Sequence, residues 1–153
     1  MAHRQTTIEQ STARREGLHN IGDVAQVSGV SSKMIRHYES IGLISPARRT
    51  LANYRIYTDN DVHTLRFIRR ARTLGFSMKQ IAQLLSLWRD RRRASSVVKR
   101  IAMEHVHELD ARIREMQGMR NTLEKLAAHC SGDERPQCPI LEDLASDTEA
   151  EAP

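Results

Sequence analysis

The spacing of apolar residues changes several times between residues 20 and 128, and each change marks an element. Ile21, Val24, Ala25 and Val27 fit one face of a short helix that Ser28-Gly29-Val30 closes. Ser31 predicts an N-cap, because its hydroxyl can accept from a free amide of the next helix, Ser32–Ser40. Gly42 ends that helix. Pro46 then breaks the pattern, and Tyr54, Ile56 and Tyr57 place a small hairpin within Arg48–Thr58, turning near Ala52-Asn53. Asn suits such a turn because it tolerates the left-handed backbone. Thr58-Asp59-Asn60-Asp61 restarts a helix with Val62, Leu65, Phe67, Ile68 and Leu74 as its apolar positions, and Gly75 ends it. Ser77 caps another, with Ile81, Leu84, Leu85 and Trp88 expected to face a core.

The longest element, predicted over about 96–128, has a different period. Ala102, Val106, Leu109, Ile113, Met116, Leu123 and Ala127 alternate steps of four and three, with Arg120 the polar interruption. That is a coiled-coil seam. A helix of about 33 residues spans roughly 50 Å at 1.5 Å per residue, too long to be covered by a head of about 75 residues. A second copy of the chain is the natural partner, so a homodimer joined by an antiparallel coiled coil is expected. The fold class is mainly α: a winged helix-turn-helix head at 19–93, a dimerisation helix at 94–128, and a loop with a short helix at 129–145. Residues 1–18 read as a disordered leader and 146–153 as a disordered acidic tail.

Charge adds a direction to this layout. The 153-residue chain carries a net charge of +5, unevenly spread. Residues 19–93 hold 14 Lys or Arg against 5 Asp or Glu, a local charge of +9, while 139–153 hold five acids and no Lys or Arg. A basic head suggests a polyanionic partner, although a solvated basic surface has the same composition. The helix pair is more specific: two short helices with a Gly-containing turn, the second bearing Lys33, Arg36 and Tyr38, followed by a wing bearing Tyr54 and Arg55. Those five are the expected contacts with double-stranded DNA, Arg bonding a guanine edge or phosphate and Tyr and Lys positioning the backbone. Arg66, Arg69, Arg70 and Arg72 are further candidates for phosphate, or simply surface charge on a packed helix. No apolar run approaches the roughly 18 residues of a membrane span, so a cytoplasmic chain with no membrane partner is expected. No nucleophile–base pair, phosphate loop or cofactor fingerprint suggests an enzyme.

The only cysteines, Cys130 and Cys138, bracket a turn-forming loop beyond the long helix. Without a secretory signal a reducing compartment is expected, which makes a soft-metal site more plausible than a disulfide. Two thiolates alone bind a monovalent d¹⁰ ion linearly, whereas Zn²⁺ generally takes four ligands. The helpers are weak: His129 is expected to point away, His105 and His107 read as surface or seam residues, and Asp133 and Glu134 are hard ligands. Cu(I), with Ag(I) or Au(I) as surrogates, is favoured over divalent ions.

Ile21-Gly22-Asp23-Val24-Ala25 through Ile35-Arg36-His37-Tyr38-Glu39-Ser40-Ile41-Gly42-Leu43 resembles the first helix-turn-helix of the MerR family of bacterial regulators. Tyr54-Arg55-Ile56-Tyr57 resembles that family's wing, with Asn53 where Gly is usual, and the Cys-x₇-Cys-Pro-Ile loop is similar to its copper-efflux branch. The resemblance covers about 20–144. It implies a metal-responsive activator, dimeric on promoter DNA, whose metal form distorts the promoter so that RNA polymerase can use it. It also implies that Ser95, from the partner subunit, occupies the position where divalent-ion sensors carry a cysteine. Lys99 and the helix end near Ser95 are then candidates to stabilise the net negative charge of a Cu(I) held by two thiolates. Two rivals remain within the family: a sensor of a divalent metal (Zn, Cd, Pb or Hg), and a regulator sensing redox or an organic ligand. Outside it, a metallochaperone would explain the cysteines but not the head.

Overall fold

The structure, a computed structural model, describes residues 17–146. Its elements in chain order are β1 (His19–Asn20), α1 (Ile21–Ser28), α2 (Ser32–Ser40), β2 (Arg48–Arg49), β3 (Arg55–Tyr57), α3 (Asp59–Thr73), α4 (Met78–Arg89), α5 (Ser95–His129) and α6 (Pro139–Ala145). The described residues fall into two compact units that divide between Val98 and Lys99.

In the first unit the helix starts follow side-chain chemistry. The Asn20 side chain accepts from the Asp23 amide, and the Ser31 hydroxyl accepts from the Met34 amide. Thr58 with Asp61, and Ser77 with Gln80, form reciprocal capping boxes. Each box satisfies two amides that the helix itself leaves without partners. Gly29 closes α1 at φ 71°, a left-handed conformation that favours glycine, and the Arg69 guanidinium lies over it.

The hairpin turns at Asn53, the one non-glycine described residue with positive φ (65°). The sequence pattern does not reveal that β3 is a central strand. It pairs antiparallel with β2 on one side (Arg49 opposite Arg55) and with β1 on the other (His19 opposite Tyr57). Leu18, within the expected leader, is buried and packs with Ile56. The rest of that leader, 1–16, and the tail from 147 onward lie outside the described residues.

The head's core joins Val24 of α1, Ile35 of α2, Tyr57 of β3, Leu65 and Ile68 of α3, and Ile81 of α4. Burial of such side chains contributes about 1.5–3 kcal/mol each. Three expected core positions differ. Val27 and Leu74 are exposed: Val27 sits a step off the Val24–Ser28 stripe of α1, and Leu74 is the residue that caps α3 beyond Thr73. Trp88 is 42% exposed, and its ring stacks on Phe67 with centroids 4.9 Å apart.

In the second unit α5 extends the expected helix by one residue at each end. Most of its seam is open in the single chain: Ile113 is 51%, Met116 67% and Leu123 54% exposed. Ile101 and His105 are the buried residues of α5, which corrects the surface or seam reading of His105. Its Nδ1 lies 3.4 Å from Glu108 Oε2.

Candidate nucleic-acid interface and metal centre

The second helix of the pair, α2, is short, and its buried side chains Ile35 and Tyr38 fix which face turns outward. Lys33, Arg36 and His37 are exposed on that face. Tyr38, expected among the DNA contacts, is instead 2% exposed. Its ring belongs to the core, and its hydroxyl accepts a 2.8 Å hydrogen bond from Arg72 Nη1. The physical reason is helical period: Tyr38 follows Ile35 by three residues and shares its inward face.

On the wing, Tyr54 is 60% exposed, while Arg55 is half-buried. Arg55 Nε is enclosed without a hydrogen-bond partner and stands 3.5 Å from Glu39 Oε2, an ion-pair distance without hydrogen-bond geometry. Glu39 is the residue that the sequence reading missed. Its Oε1 accepts from the Ala47 amide at 3.2 Å, and its Oε2 accepts from the Tyr57 hydroxyl at 3.2 Å. Burial, then the negative field of Glu39 and the hydrogen bond to it, pushes the Tyr57 hydroxyl up to about 12, with Arg55 and Arg36 pulling the other way. Tyr57 is therefore a firm donor at neutral pH. The signal available in the sequence was the i, i+3 step from Arg36 to Glu39, which puts both on one side of α2.

Other arginines on α3 have partners within the head. Arg66 donates to the Val27 carbonyl through Nε and Nη2, and Arg69 covers Gly29. Arg66, Arg69 and Arg72 thus brace α1 and α2 against α3.

At the other end of the chain, α5 ends at His129, and Cys130 follows with its amide bonded to the Ala127 carbonyl. Cys138 stands immediately before α6, whose first residue is Pro139. Pro suits that position because its missing N–H would have had no helical partner. The Cys138 thiol is held below the ordinary cysteine range, first by the Leu141 amide, then by the Ile140 amide and the Cys130 side chain, against desolvation and the charge of Glu142. No amide makes a full side-chain cap to Cys138, so the helix-start amides act as dipoles directed at the sulfur. The Cys130 side chain is thus near enough to act on the Cys138 thiol.

Of the other candidate ligands, Asp133 is paired, and His129 is fixed through Nδ1 with Nε2 left open. His129 Nδ1 donates to the Lys125 carbonyl at 2.6 Å. Asp133 is held by the Arg135 amide and guanidinium, at 3.0 and 2.6 Å, and this pairing lowers its pKa. No group of three or more His, Cys, Asp or Glu among the described residues is placed to hold a metal ion. Two soft sulfurs would fit a two-coordinate monovalent ion, whereas a tetrahedral zinc site takes four ligands. Ser95 opens α5 and is exposed, as is Lys99. Lys99 and His129 are separated by 30 helical residues, about 45 Å, so the chain's own Lys99 does not reach its own cysteine loop.

Among the described residues no helix is long and apolar enough to cross a membrane. Two family profiles match the chain: "MerR HTH family regulatory protein" over residues 20–88 and "MerR, DNA binding" over 62–126. The HTH-type transcriptional regulator HmrR of Sinorhizobium medicae is 66% identical over 126 residues, 82% of this chain and 86% of that protein. The HTH-type transcriptional regulator CueR of Escherichia coli O157:H7 is 43% identical over 126 residues, 82% and 93% of the two chains. Among solved structures, the lead(II) complex of a transcription regulator from Ralstonia metallidurans CH34 aligns with a TM-score of 0.72 at 27% identity, covering 83% of this chain and 99% of that one. The helix-turn-helix, the wing and the long helix thus recur together in sequence and in structure, in regulators and not enzymes, and the chain belongs to the MerR family of transcriptional regulators.

Proposed function

We propose that this chain is a Cu(I)-responsive activator of transcription, with Ag(I) and Au(I) as surrogates, bound to promoter DNA as a homodimer in the cytoplasm. The observation that carries the reading is that Cys130 follows α5 and Cys138 precedes α6 with their side chains close, while no cluster of three or more His, Cys, Asp or Glu forms among the described residues. A relative in Rhizobium meliloti, 64% identical over 127 residues, is a heavy metal-dependent transcription regulator, which supports metal as the effector class. Bound between the cysteines, the ion would tie the end of α5 to the start of α6. Two thiolates around one positive charge leave a net −1. The partner's Ser95 and the partner's Lys99, at the head of the partner's α5, supply the dipole and cation that stabilise that charge. Antiparallel pairing of α5 through the open seam brings those residues to the loop.

Lys33, Arg36, Tyr54 and Arg55 hold the duplex in both metal-free and loaded states. The loaded state favours a bent and untwisted promoter that RNA polymerase can open, a deformation costing on the order of several kcal/mol. Binding must therefore prefer the activating conformation, since equal affinity for both conformations shifts nothing.

The test is transcription in vitro from a promoter fragment that the protein captures from genomic DNA of its source, titrated with Cu(I), Ag(I) and Zn(II) under reducing conditions. Wild type is expected to respond to the monovalent ions, and Cys130→Ser or Cys138→Ser to lose the response while still binding DNA. Ser95→Cys is expected to broaden the response toward Hg(II), Zn(II) or Cd(II). Strong activation of wild type by Zn(II) would favour the divalent alternative.

A further inference from the structure

Glu39 stands where three parts of the head meet. It lies at the end of the recognition helix α2. One carboxylate oxygen accepts from the Ala47 amide, in the connection leading to β2. The other accepts from Tyr57 of β3 and faces Arg55 Nε of the same strand at 3.5 Å. The Glu39 side chain is only 15% exposed, and Arg55 Nε is enclosed with no hydrogen bond of its own. A buried N–H of a charged group without an acceptor is costly and persists only where something compensates. The Glu39 carboxylate is the charge that compensates it here. Arg55 is therefore anchored at Nε, while the residue as a whole remains partly exposed.

We propose that Glu39 is a positioning residue for DNA binding: its carboxylate locks the wing to the recognition helix and aims the outer guanidinium N–H groups of Arg55 at a phosphate of the duplex that α2 reads. The inference rests on the reading of Arg36 and Arg55 as DNA contacts. It makes a prediction opposite to that of simple electrostatics. Removing a carboxylate from a DNA-facing surface makes that surface more positive and should tighten binding. Removing the anchor of Arg55 should weaken it.

The experiment is a double-mutant cycle on the full-length protein, with a duplex selected by wild type from random-sequence DNA. Glu39→Gln keeps the side-chain shape and an acceptor but removes the charge. It is expected to weaken binding about tenfold and to reduce the slope of log affinity against log salt by about one phosphate contact. In an Arg55→Ala background, Glu39→Gln is expected to have no further effect, since the group it positions is gone. A thermal melt of each variant separates loss of fold from loss of position. If Glu39→Gln does not fold, Glu39→Asp, which keeps the charge and withdraws it by one methylene, is carried through the same cycle with a smaller loss expected. Additive losses in the double mutant, or unchanged or tighter binding by Glu39→Gln, overturn the proposal and leave the reading of Arg55 standing. An Arg55→Ala variant with wild-type affinity and salt slope overturns both.

Discussion

In the head, Val24, Ile35, Leu65, Ile68 and Ile81 from four different helices are fully enclosed by one another. On α5 the residues with the same apolar character, Ile113, Met116 and Leu123, stay more than half exposed over a helix of 35 residues. The two regions are built from similar side chains but close their hydrophobic surface by different means. The head brings distant parts of one chain together, so its stability is its own. Among the described residues the middle turns of the long helix keep these side chains open, and on the proposed homodimer reading a second molecule covers them, which makes that region's stability depend on concentration. On the proposed function this division is useful: a head that folds on its own could stay on DNA while the helix and loop register the effector.

The sharpest way to separate the regions is to charge the seam. Ile113→Asp is expected to abolish dimer formation, seen as the monomer mass in sedimentation at micromolar concentration, while the melting of the head stays within a few degrees of wild type. Collapse of the head together with the dimer would end the comparison. The reverse test is Leu65→Ala, which empties a fully enclosed site of the head. It is expected to cost about 2–5 kcal/mol of head stability, measured by denaturant unfolding, with the dimer retained wherever the head remains folded.

A smaller effect is expected for Arg36→Ala, which touches neither core nor seam. Operator binding should weaken by about 1–3 kcal/mol and relax at one base position if Arg36 reads a guanine, or lose about one unit of salt slope if it contacts a phosphate. The smallest effect concerns the loop. Cys138 has a lowered thiol pKa, so in the metal-free protein its alkylation by iodoacetamide should reach half-maximal rate at a lower pH than in the urea-unfolded chain. An acid whose pKa falls on folding stabilises the fold above its unfolded pKa, and that contribution disappears as the pH drops through the folded value. An unchanged alkylation profile would show that the helix-start amides do not act on the sulfur.

Much of this architecture was legible without coordinates. The caps at Ser31, Thr58 and Ser77, the Asn53 turn and the four–three seam of α5 are local: the residues that produce each feature lie within a few positions of one another, so adjacency in sequence already encodes them. The spacing of the two cysteines is equally local, with seven residues between them in one turn-forming loop. Tertiary structure alone decided what depends on distant segments. It placed β1 beside β3, a pairing across some 37 residues that a two-residue strand cannot announce. It turned Tyr38 inward to meet Arg72, 34 positions away, and buried His105, which the sequence placed on the surface or the seam. It also joined Glu39 to Arg55 and Tyr57, 16 and 18 residues on, into a link between helix and wing. Periodicity states that a residue has a side; only the packed chain determines which other residues are waiting there, because burial and ion pairing are properties of neighbours in space.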